Sequence, residues 1–143
     1  MREMEYVPYN ASTILYKAKY KGFNYFIISY GTHPCAYVEI PINHPYYGKG
    51  YDEITDQSYV HGGFTYSANG LLLLDNTWIL GWDYAHCGDY YCYSDNIMNI
   101  YSSYEDKRWT TEEIDKECKH VIDHLANIGC LYPYNGRGGF THD

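Results

Sequence analysis

Three short segments near the start of the chain carry strand signals and are joined by connections too brief for a crossover. From Ser12 to Tyr20 residues alternate, with Ile14, Tyr16, Ala18 and Tyr20 on one side and Lys17 and Lys19 on the other. That is the pattern of a half-buried strand. Lys21-Gly22 is a turn, and Phe23–Tyr30 (FNYFIISY) is apolar on both faces, as an interior strand must be. Gly31 to Pro34 turns the chain again. Ala36, Val38 and Ile40 then point inward from a third strand. A parallel pair needs a crossover of a dozen or more residues, so these strands are expected to form an antiparallel meander.

Further on, Gly63–Ser67 reads as a strand, Ala68-Asn69-Gly70 as a turn, Leu71–Leu74 as an unassigned leucine run and Asp75-Asn76 as another turn. Trp78–Tyr84 is a second interior strand. Pro41–Asp56 is a long irregular segment rich in Pro, Gly and Tyr, of the kind that carries function. Tyr90–Arg108 has no clear period beyond room for one short helix.

One helix is plain. Thr110-Thr111-Glu112-Glu113 is a capping box, and Ile114, Cys118, Val121, Ile122 and Leu125 follow at helical spacing, with Gly129 as the stop. Asp115, Lys116, Lys119 and Asp123 are expected on its wet side. The fold expected is α+β: a twisted, mainly antiparallel sheet of about five strands packed against one long C-terminal helix. It forms a single domain over residues 1–143, with a loose lead-in at 1–11 and a flexible tail at 133–143.

Composition narrows the function. Ten Lys and Arg stand against eighteen Asp and Glu, a formal charge of -8. This opposes binding to long nucleic acid, which requires many phosphates to be neutralised. The N-terminus lacks the apolar core of a signal peptide, and no run approaches the roughly 20 apolar residues that span a bilayer, so no membrane partner is expected. Five cysteines without a spacing framework read as reduced thiols, placing the chain in a cytosol. Twenty tyrosines are the anomaly. Most are expected to replace Phe and Leu in the core, while several can line a site that stacks flat rings.

Chemistry concentrates in three segments: His44-Pro45-Tyr46-Tyr47-Gly48-Lys49-Gly50, Val60-His61-Gly62-Gly63-Phe64-Thr65-Tyr66-Ser67, and Trp78–Tyr90 (WILGWDYAHCGDY). His44 beside Pro45, His61 beside Gly62 and His86 two residues before Gly88 stand in turn-like contexts, where imidazole suits acid/base work. Asp83 and Asp89 flank His86 and can orient a ring or bind a hydroxyl. Gly48, Gly50, Gly62, Gly63 and Gly88 allow close backbone approach, although no P-loop or GxGxxG fingerprint is present. The three segments are expected to converge on one pocket. No HxH, HxxxH or CxxC spacing links those three histidines, so no metal and no cofactor are expected; His120 and His124 stand four apart on the helix, assigned to core and surface duty.

The ordered set HPYYGKGYDEI, VHGGFTYS, WILGWDYAHCGDY and TTEEIDKECKHVIDHL resembles a family of small bacteriophage and prophage proteins, over residues 24 to 126. Its recurring elements are HP-x-YG, VHGG-x-TYS, W-x-x-G-(F/W)-D-x-x-H-x-GD and a final acidic helix. The chain departs from it at Trp82-Asp83-Tyr84, where the family often has Phe-Asp-Cys, and in a shorter connection before Trp78. The resemblance implies a phage protein acting in the host cytosol and, through that origin, a role against bacterial defence.

Three functions follow. In the first, the protein sequesters a small nucleotide-type immune signal, cyclic or ADP-ribose-derived. Tyr47, Tyr66 and Trp82 would stack on the base, Lys49, Gly62 and Gly63 would meet phosphate, and Asp83, His86 and Asp89 would bind hydroxyls, with His44, Gly48, His61 and Thr65 also lining the site. In the second, His61 and His86 form the acid/base pair of a hydrolase or lyase cleaving such a nucleotide, oriented by Asp83 or Asp89. In the third, the acidic surface inhibits a host defence protein. A chain of this length also admits a site shared between two copies.

Overall fold

The computed structural model describes residues 13–31, 33–69, 77–89 and 106–131. Five strands form one antiparallel sheet against a single long helix, an α+β fold: β1 (Thr13–Tyr20), β2 (Phe23–Ser29), β3 (Pro34–Ile40), β4 (Tyr66–Asn69), β5 (Trp78–Asp83) and α1 (Thr111–Leu131). The leucine run, the Asp75-Asn76 turn, the lead-in, the tail and most of the connection after Tyr90 lie outside the described residues.

The first three strands form the expected meander. Lys21 and Gly22 both take positive φ, 48° and 83°, which suits the tight turn whose twist matches that of the strands it joins. Beyond β3 the strand order departs from a meander, running β1-β2-β3-β5-β4. The reason is burial. Residues Ile79 to Trp82 are buried on both faces and need neighbours on each side, while the four-residue β4 is at most half-buried and suits an edge. Ala68 and Asn69, expected in a turn, pair instead with Ile79 and Trp78.

Alternation in β1 also breaks once. The register with β2 slips between Ile14 and Tyr16, so Leu15 is buried at 2% exposure and Ile14 faces out at 42%. A bulge places two residues opposite one and swaps which side chain faces inward.

On the helix side of the sheet, Tyr25, Ile27, Ala36, Val38, Ile40, Leu80, Trp82 and Tyr84 pack with Ile114, Cys118, Val121, Ile122 and Leu125. The capping box forms as expected. Glu113 N–H donates to Thr110 Oγ1 at 3.1 Å, and Thr110 N–H donates to Glu113 Oε1 at 3.0 Å. Lys107 closes on Glu113 at 2.6 Å and holds its carboxyl below the usual range.

Two helix expectations are corrected. Asp115 is buried and accepts a hydrogen bond from the Tyr25 hydroxyl, because the phenol reaching up from the sheet needs a partner there. Gly129 does not stop the helix, which continues to Leu131; its missing side chain makes room for the His44 ring, whose Cδ2 would lie 3.1 Å from a Cβ there. The described cysteines (Cys35, Cys87, Cys118 and Cys130) are free thiols, and burial pushes Cys35 up to about 12. Among the described residues no helix is long and apolar enough to cross a membrane.

Candidate functional site

Two of the three segments meet where β5 ends. The loop bearing His61 is rigid for reasons visible in its bonds. Gln57 donates from Nε2 to the carbonyls of Tyr51 and Ile54, and its Oε1 accepts from Phe64 N–H at 2.7 Å. Val60, buried in the core, closes the turn onto Gly63 N–H at 2.9 Å. His61 is thereby presented at the sheet end, its ring stacked on Tyr84 with centroids 4.6 Å apart and planes 13° from parallel.

The second half is the turn His86-Cys87-Gly88-Asp89. Asp89 N–H donates to His86 O at 2.9 Å, and His86 N–H returns a bond to Asp89 Oδ2 at 3.0 Å. Gly88 allows the reversal with φ of 93°. Asp89 is buried, yet it accepts three bonds: from His86 N–H, from His61 Nε2 at 2.8 Å and, on Oδ1, from Trp109 Nε1 at 2.8 Å. Three donors meet the hydrogen-bonding needs of this buried side chain. Lys107 N–H, bonded to Gly88 O at 2.8 Å, draws Trp109 and the start of α1 into the cluster.

His86 has its own carboxylate. Its Nε2 lies 3.2 Å from Asp83 Oδ1, within ion-pair reach though not aligned as a hydrogen bond. Asp83 is in turn fixed by Thr65 Oγ1 at 3.1 Å and Ala85 N–H at 3.2 Å. The rings of His61 and His86 are 5.6 Å apart. That proximity depends on Gly62, where a Cβ would fall 2.1 Å from His86 Nε2, and where φ is 69°. His61 thus offers Nε2 to a carboxylate in a hydrogen bond, which leaves the lone pair of its neutral ring on Nδ1, whereas His86 Nε2 sits over Gly62 within ion-pair distance of Asp83. The two histidine side chains remain 23% and 34% exposed.

The third segment is elsewhere, so the expected convergence of all three does not occur. His44 is buried against α1, with Nε2 2.7 Å from Leu125 O and Nδ1 accepting Tyr46 N–H at 3.0 Å. From Thr111 to Leu125 the helix runs about 21 Å, so His44 sits far from the end beside Trp109. Lys49 O accepts Trp78 Nε1 at 3.0 Å, at the opposite end of β5 from Asp83, roughly 16 Å along the strand. Tyr47, Gly48 and Lys49 thus shape the loop around that far end; Tyr47 packs on the core, Gly48 turns with φ of 78°, and the Lys49 ammonium lies over Tyr46. The physical reason is that a loop crossing the helix needs an anchor, and an imidazole can bond at both nitrogens.

Trp82 is also reassigned. It is 1% exposed, and its indole N–H donates to Tyr84 Oη at 3.0 Å, so it cannot stack on a ligand. Tyr66 belongs to the other sheet face, edge-on to Tyr37, whose ring covers Gly81. Gly63 serves the Gln57 clamp, its own φ being 78°.

Three contributors were not singled out as site residues in the sequence. Tyr84 carries the His61 ring and donates its hydroxyl to Glu117 Oε1 at 2.6 Å; burial and that carboxylate hold the phenol protonated. Trp109 directly precedes the capping box, the only sequence signal it gives. His33, in the β2–β3 turn, feels the charges of Asp83, Asp89 and His86, while burial lowers its pKa. Among the described residues, no group of three or more His, Cys, Asp or Glu is arranged to hold a metal ion.

His44 gives a pH prediction of its own. Burial lowers its pKa below the ordinary 6.5, and protonating Nδ1 would set a donor against Tyr46 N–H. The unfolded chain then binds more protons, so stability is complete above about 6.5 and declines as pH falls through it. The urea midpoint should drop between pH 7.5 and 5.5. His44→Gln should flatten that slope, leaving the share from His33.

Compared with family models, curated proteins and solved structures, the chain matches none.

Proposed function

We propose that His61 and His86 are the acid/base pair of a hydrolase or lyase that cleaves a phosphodiester or N-glycosidic bond in a small nucleotide-type signal. The observation that supports this reading is two adjacent, part-exposed imidazoles, His61 hydrogen-bonded through Nε2 to Asp89 and His86 with Nε2 3.2 Å from Asp83. His61, held by the buried Asp89 at 2.8 Å, is the more strongly oriented ring and acts as base. Its Nδ1 removes a proton from water or a substrate hydroxyl, and the imidazolium of His86 returns one to the leaving atom. Thr65 keeps Asp83 aimed at His86.

Capture without turnover is the weaker reading on this geometry. Tyr47, Gly48 and Lys49 sit at the far end of β5, and Trp82 is buried. The stacking and phosphate contacts which that reading needs are therefore dispersed. A role in phage counter-defence agrees with either reading and rests on the resemblance of the motifs.

The test is incubation with cyclic dinucleotides, cyclic oligonucleotides and ADP-ribose derivatives, followed by chromatography and mass spectrometry. A cleaved product is expected, with His61→Gln and His86→Gln each reducing its rate about 100-fold or more. Tight binding with the ligand recovered intact would overturn turnover in favour of capture.

A further inference from the structure

A second group of histidines lies on the outer face of α1. His120 and His124 are both exposed and stand one helical turn apart, with ring centroids 4.9 Å apart and planes at 78°. His124 does not swing freely, because it is stacked on Tyr59 at 4.5 Å and 10°. The carboxylates of Asp56 and Asp123 lie close enough to feel the charges of His124 and His120 respectively.

We infer that His120 and His124 form a two-imidazole site for a divalent transition-metal cation such as zinc. Neutral imidazoles bind zinc at about 2.0–2.1 Å, so two rings sharing one ion at ligand angles of about 90–109° have centroids roughly 4.5–5.2 Å apart. The observed 4.9 Å falls within that span. Residues four apart on a helix face the same side, so both rings reach one ion without distorting the backbone. Tyr59 fixes one ring in place, which lowers the ordering cost of binding. Asp56 adds a negative charge near His124 that favours a cation, while the charge of Asp123 is paired with Lys21 at 2.7 Å. Among the described residues no third His, Cys, Asp or Glu completes a set, so water fills the remaining positions. The site is independent of His61 and His86.

The test is a thermal melt of the whole chain with and without zinc chloride, joined to a calorimetric titration. One zinc per chain is expected, with the melting midpoint raised by about 3 °C at saturation. His120→Ala should abolish both signals while leaving the metal-free midpoint within about 1 °C, since that ring is exposed. His61→Gln with His86→Gln should leave the zinc response intact. Retained binding in His120→Ala, loss of binding in the His61/His86 double variant, or no binding by the unaltered chain would each overturn the assignment.

Discussion

Replacing Asp89 by alanine is expected to destabilise the protein by about 4 kcal/mol, the range found when one member of a buried charged network is removed. Three donors lose their acceptor at once: His61 Nε2, the His86 amide and Trp109 Nε1. The indole and the amide have no means of becoming acceptors. Asp89→Asn separates charge from shape. Its single oxygen can serve His61 and His86, but its NH2 then faces the Trp109 N–H, two donors opposed. The cost should fall to about 2 kcal/mol, one unsatisfied buried contact. Asp83→Ala provides the contrast, because Asp83 is part-exposed and its partners can turn to water; about 1 kcal/mol is expected there. Urea denaturation of the three variants checks the order. Equal costs at positions 83 and 89 would mean that Asp89 is not the hub of the cluster.

Trp82→Ala carries the other large effect, again about 4 kcal/mol, as for other large aromatic truncations in packed cores. The ring is 1% exposed, meets Phe64 edge-on at 6.0 Å, and lies in the layer between sheet and helix. Trp82→Phe should cost less, since most of the volume is kept and only the bond to Tyr84 Oη is lost. Tyr84 then keeps its bond to Glu117, so the platform beneath His61 survives. A destabilised but competent Trp82→Phe protein would separate this residue from the site. Thermal melts together with the cleavage assay make that separation.

Much of this fold was legible from local rules. Lys21-Gly22 marked a tight hairpin, FNYFIISY an interior strand, and Thr110 with Glu113 a helix start, because each signal involves residues a few positions apart. The departures arise where distant partners decide. The place of β5 between β3 and β4 follows from burial on both its faces. The inward turn of Asp115 depends on Tyr25, ninety positions earlier. Gly129 looked like a stop because glycine often ends helices; His44, from a loop far upstream, gives it another use.

The site divides along the same line. His61, His86, Asp83 and Asp89 were recognisable because Gly and Asp around a histidine mark a turn able to present it. Gly62 was flagged for ligand approach, and its space is taken by the His86 ring. His44 carried the same local signature and serves the helix. A turn histidine reads alike in sequence whether its nitrogens meet a backbone carbonyl or a carboxylate. Trp82 was assigned to a ligand because it lies at the end of a strand. Pairing continues one residue further, Asp83 with Cys35, and keeps Trp82 inside. Tyr84, Trp109 and His33 went unmarked because their part depends wholly on what they touch.

The orientation of the His61 ring can be read directly by nitrogen-15 NMR of the side chains at neutral to mildly alkaline pH. His61 should carry hydrogen on Nε2, bonded to Asp89, and a lone pair on Nδ1. Asp89→Asn should disturb the pattern at His61, and His44→Gln should leave it unchanged. A proton resting on Nδ1 of His61 in the unaltered protein would contradict the acid/base account.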